Sequence, residues 1–455
     1  RWMIDRAELD RFGAQRSEPK VVMGYDITWS APKSVSMLYA AGDDQLRNKI
    51  DDAIESAVSV GMAYLESEGF HVRDGRGRSR ASEMLAASYR HATNRALEPQ
   101  LHEHVVVANI AAAPNGAIRA VDARGLFAHA TPAGYLAAAQ LRHDLRQAGV
   151  RWGPVHKGLA DIEGIDRDQI MAMSSRRQEV LSVSEELGYL TPQARQTAAL
   201  ATRPGKDTSV DRHELFTRWQ DMLGDLGIDP ARVAELTGHD PAVPLWTPHD
   251  TDALYRHLSS HRGVTEQTAI FDRRDVIEAI ATYSIDRLPA ADIVDLADHW
   301  LTTDAAVELE IGDCARRETI GTGAAQVSLA PDERRYTTPE MLAIETRVVD
   351  AHQRGIRTGH ALIDPHKVEA AITNRPRVSG IELGGDQADL VRALTTSGDQ
   401  FQAAQGLAGA GKTTALTTAI DAWQSAGYAV IGTAPFAEAA RTLEAETGIE
   451  CRTLE

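Results

Sequence analysis

The stretch SYRHATNRALEPQLHEHVVVANI, residues 88–110, decides how this chain is read. It carries His91, His102 and His104. In an extended run, alternate side chains share a face. His102 and His104 then lie on one face with Val106 and Ala108, and Leu101, Glu103, Val105 and Val107 take the other. An earlier alternation, Leu85, Ala87, Tyr89, ends on His91. Paired antiparallel, the two runs bring three imidazoles to one point. Neutral imidazole is the commonest metal ligand, and three protein ligands with open positions suit a catalytic ion rather than a closed structural one. A lone histidine is more often an ordinary structural residue. Two at i, i+2 on an apolar strand are expected to lie on a buried face, where each ring needs a partner.

This stretch resembles the metal-binding segment of TrwC/TraI-type (MobF) conjugative relaxases. A second stretch, GYDITWSAPKSVSML at residues 24–38, resembles another element of that family in the expected order. The resemblance implies an α+β HUH relaxase domain, an antiparallel sheet with helices, in which His91, His102 and His104 hold a divalent ion on the scissile phosphate of single-stranded DNA. It gives Asp26 a catalytic role, orienting a ligating histidine or helping to activate the nucleophile. A carboxylate behind a ligating histidine fixes its tautomer. Glu103 departs from the small residue more usual there, and alternation points it away from the metal. The family's nucleophilic tyrosines precede the GYD element. RWMIDRAELDRFGAQRSE has none before Tyr25, so that segment is expected to be missing, with Tyr25, Tyr39, Tyr64, Tyr89 and Tyr135 read as core or strand residues.

GLAGAGKT, residues 406–413, completes the pattern G-x-x-x-x-G-K-[ST]. Gly406, Gly409 and Gly411 let backbone amides approach phosphate oxygens, Lys412 reaches the β/γ-phosphates, and Thr413 can ligate Mg²⁺. QFQAAQ before it alternates as a strand, residues 412–423 read as a helix, and YAVIGT (428–433) as the next strand. DQADLVRALTTSGDQFQAAQGLAGAGKTTAL resembles a superfamily 1, RecD-like helicase, an α/β P-loop (RecA-like) domain. That resemblance places Gln387 as an adenine-reading residue; a surface helix glutamine is an equal alternative. TAPFAEAARTLEAETGIECRTL resembles the next helicase segment, with Phe436 and Glu438 departing from it. No acidic motif or arginine finger follows, so hydrolysis by this chain alone is not expected.

At 455 residues, length suggests about three domains. The reading is 1–235 relaxase, 236–335 linker and helical region, and 336–455 partial helicase. Residues 46–66 form a helix with Leu46, Ile50, Ile54, Val58, Met62 and Leu65 on one stripe. Asn115-Gly116 turns into AIRAV, and 132–149 is a further helix. KGLADIEGI and ARQTAALATRPGKD (194–207) resemble the relaxase tail. Pro241, Pro244 and Pro248 mark a linker, and EQTAIFDRRDVIEAIATY (266–283) is the best amphipathic piece of the helical region.

The net charge of −17 argues against nucleic-acid binding over the whole surface but leaves room for a local basic cleft. HVRDGRGRSR, with Arg73, Arg76, Arg78 and Arg80 around Gly75 and Gly77, is the candidate: a phosphate-holding hairpin or a solvated loop. Cys314 and Cys451 are isolated, which suits a reducing cytoplasm. No apolar run approaches the roughly 20 residues of a membrane span.

The sequence thus reads as a conjugative relaxase–helicase. Metal-dependent, strand-specific nicking at a plasmid transfer origin is coupled to ATP-driven unwinding. Its cofactors are a divalent ion (Mg, Mn, Zn or Ni) and ATP with Mg. Its partners are origin single strands and other conjugation proteins. Two rivals remain open, a non-catalytic origin-binding platform and a translocase with a degenerate N-terminal adaptor.

Overall fold

A computed structural model describes residues 22–73, 78–175, 178, 211–240, 246–310, 319–320, 327–328, 334–380, 382–407 and 410–454. They cluster into two compact units, 1–341 and 342–455.

The first unit is built on an antiparallel sheet ordered β1 (Gly24–Ser30), β5 (Pro99–Ala108), β4 (Ala86–Thr93). Ile27 and Trp29 of β1 and Leu101, Val105 and Val107 of β5 form its buried face. Helices α1 (Lys33–Ala41) and α2 (Asp44–Tyr64) share that core. Asp43 caps α2, accepting from the Leu46 amide at 2.8 Å, which satisfies one of the first-turn donors. The stripe Leu46, Ile50, Ile54, Val58 is buried as its spacing requires, and a π turn (Leu65–Gly69) follows. Gly61 on α2 is where the Trp29 ring rests: a Cβ there would lie 1.9 Å from Trp29 Cη2.

The remaining strands are short. β2 (His71–Arg73) pairs with β3 (Arg78–Arg80), and β6 (Ala111–Ala112) with β7 (Ile118–Arg119) across the Asn115-Gly116 turn. Gly116 adopts φ +78° there, a left-handed conformation that glycine tolerates without strain.

Helix α3 spans Ala123–Gln147, nine residues earlier than Pro132 suggested, with Pro132 inside it. Asp122 caps the earlier start, accepting from the Arg124 amide at 3.3 Å. Proline cannot donate to the carbonyl four residues back; Arg274 Nη1 donates to that Ala128 oxygen at 3.2 Å instead. Pro248 likewise opens a helix, Pro248–Ser259, behind the Thr247 capping box, rather than lying in a linker. Proline at a first helical position removes a donor that would be orphaned anyway. The helices Arg273–Tyr283 and Ala290–Leu301 pack on α3 and share its core. Fully buried Arg142 of α3 donates to Gly158, Ala281 and Ile285 carbonyls at 2.8, 2.9 and 2.6 Å. No helix among the described residues is long and apolar enough to cross a membrane.

In the second unit the helices Pro365–Ser379, Gly385–Thr396 and Lys412–Ser425 enclose Ile363, Val368, Val391, Ala415, Ala419 and Ala422. Strand Gly432–Ala434 runs parallel to Cys451–Thr453, with the helix Ala437–Thr447 as the crossover that parallel pairing requires. QFQAAQ is not a strand, and the next strand begins only at Gly432. Alternation sets which face a side chain takes, but a strand also needs a ladder partner, and 401–405 has none among the described residues. ARQTAALATRPGKD, the N-terminal RWMIDRAELDRFGAQRSE, Pro241, Pro244 and Cys314 lie outside the described residues.

Candidate functional site

The β4–β5 pairing sets His91 directly opposite His102 and Tyr89 opposite His104. β1 flanks β5 on its other side, with Thr28 opposite His104. The result is the convergence the alternation foretold: the ligating atoms of His91, His102 and His104 lie within 4.8 Å of one another. The three rings stand edge-on, with centroids 5.1–5.3 Å apart. Three imidazole nitrogens gathered around one point are ligands of the kind a divalent cation takes at about 2.0–2.1 Å, so the donor set suits such an ion.

The face that carries them is the open one, which corrects the expectation of a buried face. His91 is exposed, and His102 and His104 are half-buried. The opposite face meets the helices, because Leu101, Val105 and Val107 supply more apolar area than the histidine side does. Glu103 points down with them, away from the triad. There its carboxylate accepts from Ser88 Oγ and, at 3.1 Å, from Arg90 Nε.

Second contacts fix the tautomers. His104 Nδ1 meets both Asp26 oxygens, at 2.9 and 3.0 Å, and Thr28 Oγ1 at 3.0 Å. His102 Nδ1 donates to the Gln100 carbonyl at 2.8 Å. With Nδ1–H engaged on both rings, each Nε2 keeps its lone pair for a ligand. Burial pushes His102 below the ordinary histidine range, and the neighbouring His91 and His104 add to this against the Gln100 bond. A neutral, ligating ring is thereby favoured.

The hairpin turn is clamped as well. Asn94 Oδ1 accepts from the Ala96 and Glu98 amides, at 2.9 and 3.0 Å. Buried Glu98 accepts from Asn94 Nδ2 at 2.6 Å and the Ser175 amide at 2.8 Å. Lys33 lies 3.8 Å from Glu98, and burial brings its ammonium down to about 8 against that carboxylate's pull. Asn94 and Glu98 escaped the sequence reading. The Asn-to-Glu spacing inside TNRALEP was the signal that could have marked them.

A family model described as TrwC relaxase matches residues 5–226, and the triad and Asp26 lie inside that match. The chain belongs to the TrwC relaxase family. Multifunctional conjugation protein TraI of Escherichia coli is 30% identical over 240 residues, which is 50% of this chain and 13% of that protein. Probable conjugal transfer protein TraA of Sinorhizobium fredii is 31% identical over 192 residues, 42% of this chain and 16% of its own length. The chain thus spans a small part of the curated relatives it matches. A solved TrwC complexed with a 27-mer DNA is 30% identical and aligns over 45% of this chain and 75% of that one, with a TM-score of 0.42. A metal-bound TrwC–oriT complex is 27% identical over 48% and 78%, also at 0.42.

An AAA domain model matches residues 382–455. There Gly411 adopts φ +71° at the start of the helix Lys412–Ser425. Lys412 Nζ donates to the Gly406 and Leu407 carbonyls, at 2.7 and 2.8 Å. Gln387 sits against the same loop, its Nε2 donating to the Ala410 carbonyl at 3.0 Å. The structure therefore brings Gln387, Gly406, Gly411, Lys412 and Thr413 to one helix N-terminus; Gly409 lies outside the described residues.

The basic ribbon is partly described, with Arg76 and the turn glycines outside it. Arg73 Nε donates to Asp122 at 3.3 Å, Arg78 contacts His71 Nδ1 at 3.3 Å, and Arg80 is exposed. Arg73, Arg119 and Asp122 line a cleft of about 470 Å³. Burial alone would raise the Asp122 carboxyl, but hydrogen bonds from Arg124 and Arg73 outweigh it and bring it to about 2. Arg73 and Arg124 pair with this carboxylate and Arg119 lines the same cleft, so cations outnumber the acid there. Arg119 and Arg124 lie far from the ribbon in sequence, and no local pattern marked them.

Proposed function

We propose that this chain carries the metal centre of a conjugative relaxase, an enzyme that nicks single-stranded DNA at a transfer origin by transesterification, a tyrosine hydroxyl displacing the 3′-hydroxyl at the scissile phosphate, joined to a helicase-type ATP-binding domain. The observation that carries this reading is the convergence of His91, His102 and His104 with Asp26 behind His104. The three imidazoles would hold a divalent ion, which acts on a phosphodiester as a Lewis acid on a non-bridging oxygen. Asp26 orients His104, and the Gln100 carbonyl orients His102. The open face leaves the centre accessible to an extended strand. The names of the relatives support the setting: one is a multifunctional conjugation protein and another a probable conjugal transfer protein.

Arg73, Arg78, Arg80, Arg119 and Arg124 supply cations for phosphates, where contacts set register rather than sequence. In the second unit, the P-loop amides, Lys412 and Thr413 would cradle the phosphates of ATP with Mg, and Gln387 would read the base. Conjugation proteins are the expected partners, and the cytoplasm, where DNA and ATP meet, is the expected compartment.

The test is nickel(II) titration of the full 455-residue chain by calorimetry, with and without His102→Ala/His104→Ala. The parent should bind one ion at the triad, and the double variant should lose that binding. Unchanged stoichiometry in the variant would sink the metal centre.

A further inference from the structure

The APKSVS element, residues 31–36, contributes no ligand and no acid or base to the triad. Its polar groups nevertheless gather on one place, the start of β5. Between the pairs Thr93↔Pro99 and His91↔His102 the ladder shifts register. Ala92 alone lies between them on β4, whereas Gln100 and Leu101 lie between them on β5, so β5 carries one extra residue. Such a bulge bends the strand and re-aims the side chain beside it. That side chain is His102.

The groups of the bulge are taken up by residues 31–36. Ser36 Oγ accepts from the Leu101 amide at 3.0 Å, both atoms buried. The Ala31 amide donates to the Leu101 carbonyl at 3.0 Å. Lys33 Nζ donates to the Pro99 carbonyl at 2.8 Å. Between these fixed points, the Gln100 carbonyl receives His102 Nδ1–H.

We propose that Ser36 and Lys33 are positioning residues of the metal centre. From beneath the sheet they splint the bulge at Gln100–Leu101, whose carbonyl sets the tautomer and aim of His102. This rests on the metal reading of the triad. The splint gives a role to buried Ser36 and largely buried Lys33 at the start of α1. Without Ser36 Oγ the Leu101 N–H is a buried orphan, which the backbone relieves by moving. The movement displaces the Gln100 carbonyl next to it.

Ser34 provides the control. It is equally buried, and its hydroxyl bonds Asp161 at 2.7 Å and the Ile162 amide at 3.1 Å, away from the bulge. Untagged full-length chains carrying Ser36→Ala, Lys33→Met or Ser34→Ala would be titrated with nickel(II) well below their melting temperatures. Outer contacts of metal ligands are worth about 10–100-fold in affinity. Ser36→Ala and Lys33→Met should each weaken binding by about tenfold, and Ser34→Ala should bind as the parent does while melting earlier.

A second readout needs no metal. Imidazole ¹⁵N shifts of His102 should show the Nδ1–H form in the parent and in Ser34→Ala, and a mixture of tautomers in Ser36→Ala. Parent affinity together with the parent tautomer in folded Ser36→Ala overturns the proposal. If that variant does not fold, Lys33→Met is judged by the same two readouts. Should the parent bind no nickel at the triad, the metal reading fails, and the tautomer still decides whether the splint exists.

Discussion

Asp26 grips His104 with both carboxylate oxygens, and this contact decides which ring nitrogen faces the other two histidines. A carboxylate only accepts, so Nδ1 must carry the proton and Nε2 the lone pair. Asparagine keeps the shape but loses the charge, and its amide can turn a donor toward Nδ1. Asp26→Asn is therefore expected to weaken divalent-ion binding by about 10–100-fold with little change in melting temperature, since Asp26 is part-exposed. Calorimetry beside a thermal melt measures both. A large loss of stability with intact affinity would make Asp26 a structural residue.

At the scale of elements, the seat of α2 on the sheet is set by Gly61 and Trp29. Replacing a helical glycine by alanine ordinarily stabilises by about 1 kcal/mol. Here the added methyl would lie 1.9 Å from the Trp29 ring, and overpacking of a filled core costs about 1–3 kcal/mol. Trp29 sits on β1 three residues from Asp26, so it cannot move without shifting the strand that carries that carboxylate. The steric effect wins. Gly61→Ala should lower the urea midpoint and also weaken metal binding. A raised midpoint would show that the indole has room to turn.

At the scale of the molecule, His129 of α3 and Tyr64 of α2 form a polar seam with Asp272 and Arg274, two charges that also act on Glu278 farther along the helix Arg273–Tyr283. Tyr64 Oη lies 3.2 Å from His129 Nδ1. Burial first, then Arg274 and Arg78, bring His129 down to about 3, against Asp272, with His71 adding to the lowering. Its folded value lies below its unfolded one, so the unfolded chain binds more protons between about pH 6.5 and 3. Stability from this residue is complete above about 6.5 and falls as pH falls through that window. Glu278 acts with the opposite sign. Burial, with Asp275 and Asp272, raises it to about 7, so its contribution is present in acid and is lost as pH rises from about 4.5 to 7. His129→Gln removes one of the two. The melting temperature of the variant minus that of the parent should therefore rise as pH is lowered from 7 to 4. A flat difference would show that His129 does not titrate in the seam.

The sequence by itself determined the local features of this protein. Period-two alternation placed His102 and His104 on one face and Glu103 on the other, and period-3.6 spacing found the buried stripe of α2. The spacing of GLAGAGKT marked the loop that Gly411, Lys412 and Gln387 frame. These follow from backbone geometry, which a short window of sequence fixes. Only the tertiary structure decided which face of the sheet is covered, because that depends on where α1 and α2 pack. It also decided that α3 runs through Pro132, because Arg274, more than a hundred residues away, satisfies the carbonyl that proline frees. QFQAAQ alternates as a strand would, yet pairing needs a partner that alternation cannot supply. The aim of His102 likewise depends on Ser36, 66 positions before it, meeting the bulge from below. Pairings between distant segments form when the chain buries its apolar faces, and local sequence carries no record of which donors and acceptors that burial brings together.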